Sequence, residues 1–185
     1  MAFFVGLDPG RSADHTALAV VERVGAEGGD VLHLRHLERY PLRTPYPEIA
    51  DAVANLMARE ELGGAELFVD GTGVGVAVAD LLGGRGLWFT SVTITGGGKT
   101  TGGGRSYGVP KENLVAALEV PFHNGAVRVA EGLAAWPALR AEMLNFRRKV
   151  SPKTGRDSYE HRRGSDHDDL VLAAALACWG ATRRP

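Results

Sequence analysis

Two short apolar runs in this chain each end in an aspartate. Phe3-Phe4-Val5-Gly6-Leu7 leads to Asp8, and Leu67-Phe68-Val69 leads to Asp70. Both are bounded by Gly or Pro, the pattern of a buried strand. A third segment, His167-Asp168-Asp169, stands just ahead of the apolar run Leu170 to Trp179, the pattern of a buried helix. Carboxylates at the ends of two core strands and at the start of a core helix cannot all stay ionised without cations. Two divalent metals, Mg2+ or Mn2+, bridging such oxygens are the usual solution, and their usual chemistry is in-line displacement at phosphorus. Any fold for this chain must therefore let Asp8, Asp70 and an acid from 166–169 meet.

The order of elements shows how they can. Strands are predicted at Phe3 to Leu7, Thr16 to Arg23 and Val31 to Tyr40, the last with imperfect alternation. Short turns between them give an antiparallel meander. Pro45 and Pro47 open a helix predicted to run through Leu62, with Gly63-Gly64 as its stop. Leu67 to Val69 is strand four, and the helical crossover before it places it beside strand one. A helix over Gly75 to Leu82, a strand over Leu87 to Ile94, a helix over Pro110 to Leu118 and a strand over Ala126 to Val129 follow. Leu133 to Phe146 reads as a helix whose regular part follows Pro137. Arg147 to Val150 and Asp157 to His161 form a hairpin around Ser151-Pro152-Lys153-Thr154-Gly155, and the last helix spans about Asp168 to Ala181. The expected class is α/β, a central mixed sheet of five or more strands flanked by helices, with an added basic β-hairpin.

Composition excludes several classes. The 185 residues suit one domain with a full hydrophobic core. The net charge of −1 gives no overall basic character, so nucleic-acid contact must come from local clustering. One cysteine, Cys178 within the last apolar run, leaves no disulfide framework and fits a cytosolic setting. No apolar stretch reaches the roughly 18 residues of a membrane span, and no signal peptide opens the chain. The glycines Gly71, Gly73 and Gly75 miss the spacing of a dinucleotide loop. The stretch Gly96 to Arg105 likewise misses the spacing of a phosphate-binding loop, and is expected to be a mobile, basic loop on the substrate side. The three tryptophans, Trp88, Trp136 and Trp179, sit in apolar contexts and are expected in the core.

Taken singly, each acid has an ordinary explanation. Asp8 before Pro9-Gly10 and Asp70 before Gly71 suit turns, and Asp166, Asp168 and Asp169 suit the start of a helix. Their joint placement is what points to metal. His167 reads as a solvated neighbour outside the site. A basic ribbon follows: Arg147, Arg148, Lys149, Lys153, Arg156 and Arg162 outnumber the acids Glu142, Asp157 and Glu160 between Arg140 and Arg163. Such a ribbon beside an acid cluster suits a phosphodiester substrate, because phosphate neutralisation supplies sequence-independent affinity.

The segments Gly6-Leu7-Asp8-Pro9-Gly10, Val69-Asp70-Gly71-Thr72-Gly73-Val74-Gly75, Val109-Pro110-Lys111 and Gly164-Ser165-Asp166-His167-Asp168-Asp169-Leu170-Val171 together resemble the nuclease domain of viral terminase large subunits, the DNA-packaging motors of tailed phages. The resemblance runs over nearly the whole chain. It implies a ribonuclease H-like fold and metal-dependent endonuclease activity on double-stranded DNA with little sequence specificity, as in the cutting of concatemers during packaging. It implies Asp8, Asp70 and Asp169 as catalytic acids, Asp168 and then Asp166 as further metal ligands, and Lys111 near the site as a DNA contact. It also implies a host-cytoplasmic setting and, as partners, an ATPase domain, a small terminase subunit and a portal. The family's ATPase domain and its phosphate-binding loop are absent from residues 1–185, which are expected to form a single nuclease domain. Another nuclease of the same fold, a resolvase of four-way DNA junctions, is the alternative. A nucleotide-binding fold of the actin and sugar-kinase type ranks below both, since it calls for a second, duplicated domain.

Overall fold

The computed structural model describes residues 1–11, 13–146, 148–150, 157–159 and 167–183, with only the backbone described at 148–150 and 157–159. In chain order the elements are β1 (Ala2–Asp8), β2 (Ala17–Ala26), β3 (Gly29–Arg39), α1 (Tyr46–Met57), β4 (Glu66–Asp70), α2 (Gly75–Gly84), β5 (Phe89–Thr95), β6 (Thr101–Gly103), β7 (Ser106–Pro110), α3 (Lys111–His123), β8 (Val127–Val129), α4 (Trp136–Asn145), β9 (Arg148–Val150), β10 (Asp157–Tyr159) and α5 (Asp169–Thr182). Among the described residues, eight strands form one mixed sheet in the order β6-β7-β5-β4-β1-β2-β3-β8. The meander β1-β2-β3 is antiparallel. The crossover through α1 then lays β4 parallel to β1, and β5 and β7 continue outward in the same sense.

Because strand side chains alternate between faces, each apolar run feeds two cores. Val5 and Leu7 of β1 and Leu67 and Val69 of β4 pack with α1 and α2 residues such as Ile49, Val53, Val78 and Leu82. Phe4 and Phe68 pack on the other face with Leu114 and Leu118 of α3, Leu139 of α4 and most of α5, including Leu170, Ala173 and Leu176. Asp8 and Asp70 follow Phe4 and Phe68 at even spacing, so both carboxylates lie on the α5 face at the carboxyl edge of the sheet.

Helix α5 is apolar around its full circumference, with twelve of its fourteen residues buried, as a helix must be when it is enclosed on all sides. It lies so close to β1 that a Cβ at Gly6 would stand 2.1 Å from the Ala173 carbonyl oxygen. A Cβ at Gly180 would stand 2.3 Å from the Phe68 ring. No helix among the described residues is long and apolar enough to cross a membrane.

The imperfect alternation of the third strand has a cause. Val20 pairs with His36 and Val21 with Leu34, so Arg35 is an extra, unpaired residue: a β-bulge. Leu32 and Leu34 before it and Leu37 after it all face α5, and Arg39, two residues beyond Leu37, faces α5 as well.

Several expectations need correction. Helix α1 ends at Met57, not Leu62. Arg59 is extended, and a separate 3-10 turn, Glu60–Leu62, carries Leu62 into the α1/α2 core. The Gly96 to Arg105 stretch is not all loop: Thr101–Gly103 pairs antiparallel with Ser106–Pro110, which also pairs with β5. That short, Gly-broken strand carries no alternation to read. Helix α3 continues past Leu118 to His123 with Pro121 inside it. Trp88 is not core. It is 72% exposed, and the Arg105 guanidinium lies 3.6 Å over its ring. Trp136 stacks on Phe122, and Trp179 meets Phe68 and Tyr107 edge-on, as apolar placement predicts. The basic hairpin is present as the antiparallel pair β9–β10, while its turn at 151–156 lies outside the described residues.

The close approach of α5 predicts that Gly6→Ala costs roughly 3 kcal/mol or more, the upper end of overpacking, because backbone faces backbone and neither side can rotate away. Urea denaturation midpoints measure this; a midpoint equal to wild type would mean that α5 is not seated as described.

Candidate active site

Asp8 ends β1 beside Ala17, which pairs in turn with Arg39 at the end of β3. Leu7 pairs with Val69, so Asp70 ends β4 level with Asp8. Asp169 is the first residue of α5, and Asp168 is its N-cap. Asp8, Asp70 and Asp169 are all buried, with 8%, 8% and 4% exposure. The structure brings Asp8, Asp70, Asp168, Asp169 and Lys111 to one end of the sheet. Asp166, Arg147, Lys153, Arg156 and Arg162 lie outside the described residues, as do the side chains of Arg148 and Lys149.

The local backbone explains the placement. The Thr72 amide donates to Asp70 Oδ1 at 2.8 Å, and Thr72 Oγ1 accepts from the Ile94 amide at 3.0 Å, tying the turn after β4 to β5. Gly75 lets α2 start against that turn, since a Cβ there would stand 1.8 Å from the Asp70 carbonyl oxygen. The Gly10 amide donates to Thr16 Oγ1 at 3.0 Å and Tyr46 Oη donates to the Gly10 carbonyl at 3.0 Å, fixing the turn after Asp8.

Electrostatics set the character of the cluster. Burial raises the Asp8 pKa well above its ordinary value, and the charges of Asp70, Asp168 and Asp169 raise it further against a small opposing effect of Lys111. Burial also raises Asp70, opposed by its hydrogen bonds from Thr72, and raises Asp169, opposed by Arg39, His167 and His15. Lys111 Nζ donates to Asp168 Oδ2 at 2.8 Å. By contrast, the buried Cys178 thiol is pushed up to about 12, which makes it inert.

Three further groups, none of them singled out from the sequence, complete the surroundings. Arg39 donates through its NH2 group to Glu142 Oε1, and its Nε stands 3.3 Å from Asp169 Oδ2. Glu142, 8% exposed on α4, also accepts the Val171 amide at 3.0 Å, closing the first turn of α5. His15 Nδ1 lies 2.8 Å from the Tyr40 carbonyl, which can only accept, so Nδ1 carries the hydrogen; its ring meets that of His167 edge-on at 5.1 Å. The bulge at Arg35 is the one sequence-level trace of Arg39's role, visible as the broken alternation of its strand.

The donor set suits a hard divalent cation. It is all carboxylate oxygen, it is buried, and its members repel one another. Asp169 Oδ2 is buried with no hydrogen-bond partner among the described residues. Among the described residues no group of three or more His, Cys, Asp or Glu side chains stands ready to hold a metal ion; Asp168 faces Lys111 and Asp169 faces Arg39.

No protein-family model matches the chain, and no curated protein matches its sequence. Solved structures do match. The large terminase nuclease from thermophilic phage G20c is similar with TM-score 0.67 at 24% identity over 95% of this chain and 80% of that one. The large terminase nuclease domain of bacteriophage SPP1, with bound Mn, gives 0.59 at 13% over 96% and 85%. The P22 large terminase nuclease domain gives 0.58 at 15% over 97% and 79%. At these identities the likeness establishes the fold: this chain has the ribonuclease H-like fold of terminase nuclease domains.

The raised carboxyls give a pH prediction with a definite sign. A carboxyl whose folded pKa is raised contributes stability fully below its ordinary value of 3.8 and loses it as pH rises through the folded value. Asp8→Asn is neutral throughout. Without divalent ions it should melt higher than wild type at about pH 8, with the gap closing toward about pH 4. Calorimetry in EDTA tests this; a variant melting lower than wild type at the upper pH would mean that the Asp8 anion is net stabilised by its neighbours.

Proposed function

We propose that this protein is a metal-dependent DNA endonuclease that cuts duplex DNA with little sequence preference, the nuclease unit of a terminase large subunit acting in genome packaging. The observation that carries the reading is the convergence of buried Asp8, Asp70 and Asp169 from three elements onto one face and one edge of the sheet. The likeness in fold to three phage terminase nucleases, one of them solved with bound Mn, supports it. Residues 1–185 act as one such unit, and an ATPase motor domain, a small subunit and a portal are the partners this role calls for.

Asp8 with Asp169 or Asp168 would hold one Mg2+ or Mn2+, and Asp8 with Asp70 a second. Held there, such ions would supply Lewis acidity for activating a water and for offsetting negative charge on the leaving oxygen. The protein's own residues do the rest. Thr72 holds Asp70 through one oxygen and leaves the other free of that bond. Lys111 fixes Asp168 and places a cation at the edge of the cluster, where a scissile phosphate must arrive. Glycines in the turn after Asp70 let a sugar–phosphate backbone approach closely. Nonspecific duplex affinity is assigned to the basic ribbon Arg147, Arg148, Lys149, Lys153, Arg156 and Arg162.

Two experiments test this. Asp8→Asn and Asp70→Asn should each lower Mn2+-dependent plasmid cleavage by about 10^3-fold, a loss of roughly 4 kcal/mol of transition-state stabilisation, while DNA affinity holds. Cleavage in EDTA, or a variant cutting at the wild-type rate, would end the metal reading; activity confined to four-way junctions would favour the resolvase. Replacing Arg147, Arg148 and Lys149 with Ala should weaken binding alike on all sequences. It should also flatten the log–log salt dependence by about one unit per lost phosphate contact. An unchanged slope would move the DNA path away from the hairpin.

A further inference from the structure

Arg39 and Glu142 lie outside the acids assigned above, yet they form a polar contact between the end of β3 and α4 that reaches α5 on both sides. Glu142 is buried at the inner end of α4 and uses both oxygens: Oε1 accepts from Arg39 and Oε2 accepts from the Val171 amide. The second bond satisfies an amide of the first turn of α5, which has no partner within the helix and which the N-cap Asp168 side chain does not cap. Glu142 therefore ties Arg39 to the same helical turn that carries Asp169. Held this way, the guanidinium presents Nε to Asp169 Oδ2 at 3.3 Å, but out of line for a hydrogen bond, and both atoms are buried without hydrogen-bond partners among the described residues. A contact that is close but misaligned leaves the oxygen's lone pairs unclaimed while confining the carboxylate on one side. The tether matters as much as the charge. A free arginine would form a forked pair with the carboxylate and occupy its lone pairs; one already committed to Glu142 is kept from doing so.

We propose that Arg39, anchored by Glu142, is the positioning residue of Asp169, holding that carboxylate turned toward Asp8 and open to a divalent cation. This rests on the nuclease reading and deepens it. Partners one step outside a ligand commonly change metal affinity 10- to 100-fold when removed. Loss of the guanidinium should therefore weaken Mn2+ binding by that factor, with a matching rise in the Mn2+ concentration needed for half-maximal cleavage.

The test is a Mn2+ titration of the full chain followed by electron paramagnetic resonance of the free ion, with wild type, Arg39→Lys and the double variant Arg39→Gln/Glu142→Gln. The double variant removes Arg39 and the Glu142 charge together, so Glu142 is not left as an unpaired buried anion, and the glutamine replacing it can keep the bond to the Val171 amide. Arg39→Lys keeps a cation for Glu142 but withdraws the planar Nε from Asp169. Both should fold by far-UV circular dichroism and bind Mn2+ about 10- to 100-fold more weakly than wild type. Wild-type or tighter affinity in either folded variant overturns the proposal, tighter binding marking Arg39 as a competing cation. Failure of both to fold would assign the pair to stability and overturn it too. If wild type itself binds no Mn2+, the nuclease reading has failed instead, a result distinct from all of these.

Discussion

The seating of α5 on β1 is the contact on which the rest depends. Gly6 brings the helix backbone within a distance that no side chain would allow, and the all-apolar surface of α5 fills the space between the sheet, α3 and α4. The helix runs away from the carboxyl edge of the sheet, so its first residue arrives where β1 and β4 end. Asp169 stands at the edge where Asp8 and Asp70 end their strands because the helix behind it has nowhere else to go.

That arrangement concentrates negative charge in a place with little water. Each of the three inner acids is raised by burial, and Asp8 most strongly by its neighbours as well. Two cations partly offset this, Lys111 against Asp168 and Arg39 against Asp169. They come from opposite sides of the sheet, Lys111 following β7 and Arg39 ending β3, so the cluster is flanked rather than filled by positive charge. A fold stabilised for its own sake would replace such acids with apolar residues of similar size. Asp8, Asp70 and Asp169 at the junction of three elements therefore carry a cost in stability that the fold alone does not call for.

Much of this was legible in the sequence because it depends on local pattern. Short continuous apolar runs bounded by Gly or Pro mark β1 and β4, and the helical crossover places them side by side, so the sequence pattern alone pairs Asp8 with Asp70. The last helix was visible as an unbroken apolar run. Arg39 and Glu142 were not legible: their relation joins the end of a strand to a helix about a hundred residues later, and each looks like ordinary surface charge in its own segment. The strand Ser106–Pro110 was hidden for a different reason. Its residues are drawn into the sheet by pairing with β5 and β6, while Gly108 and Pro110 within it have low strand propensity. Trp88 misled in the opposite direction, because a large aromatic beside Leu87 and Phe89 looks buried until Arg105 is seen lying across it.

The unpaired Arg35 in β3 acts as a parity switch. Upstream of it the even-numbered residues face α5; downstream the odd-numbered ones do. With a regular ladder, Glu38 rather than Arg39 would stand toward Asp169, and a further carboxylate would join the buried Asp8, Asp70, Asp169 and Glu142. The sign of the charge beside Asp169 Oδ2 is therefore encoded in the count of residues along a strand, and a single insertion or deletion upstream could invert it without touching Asp169 itself.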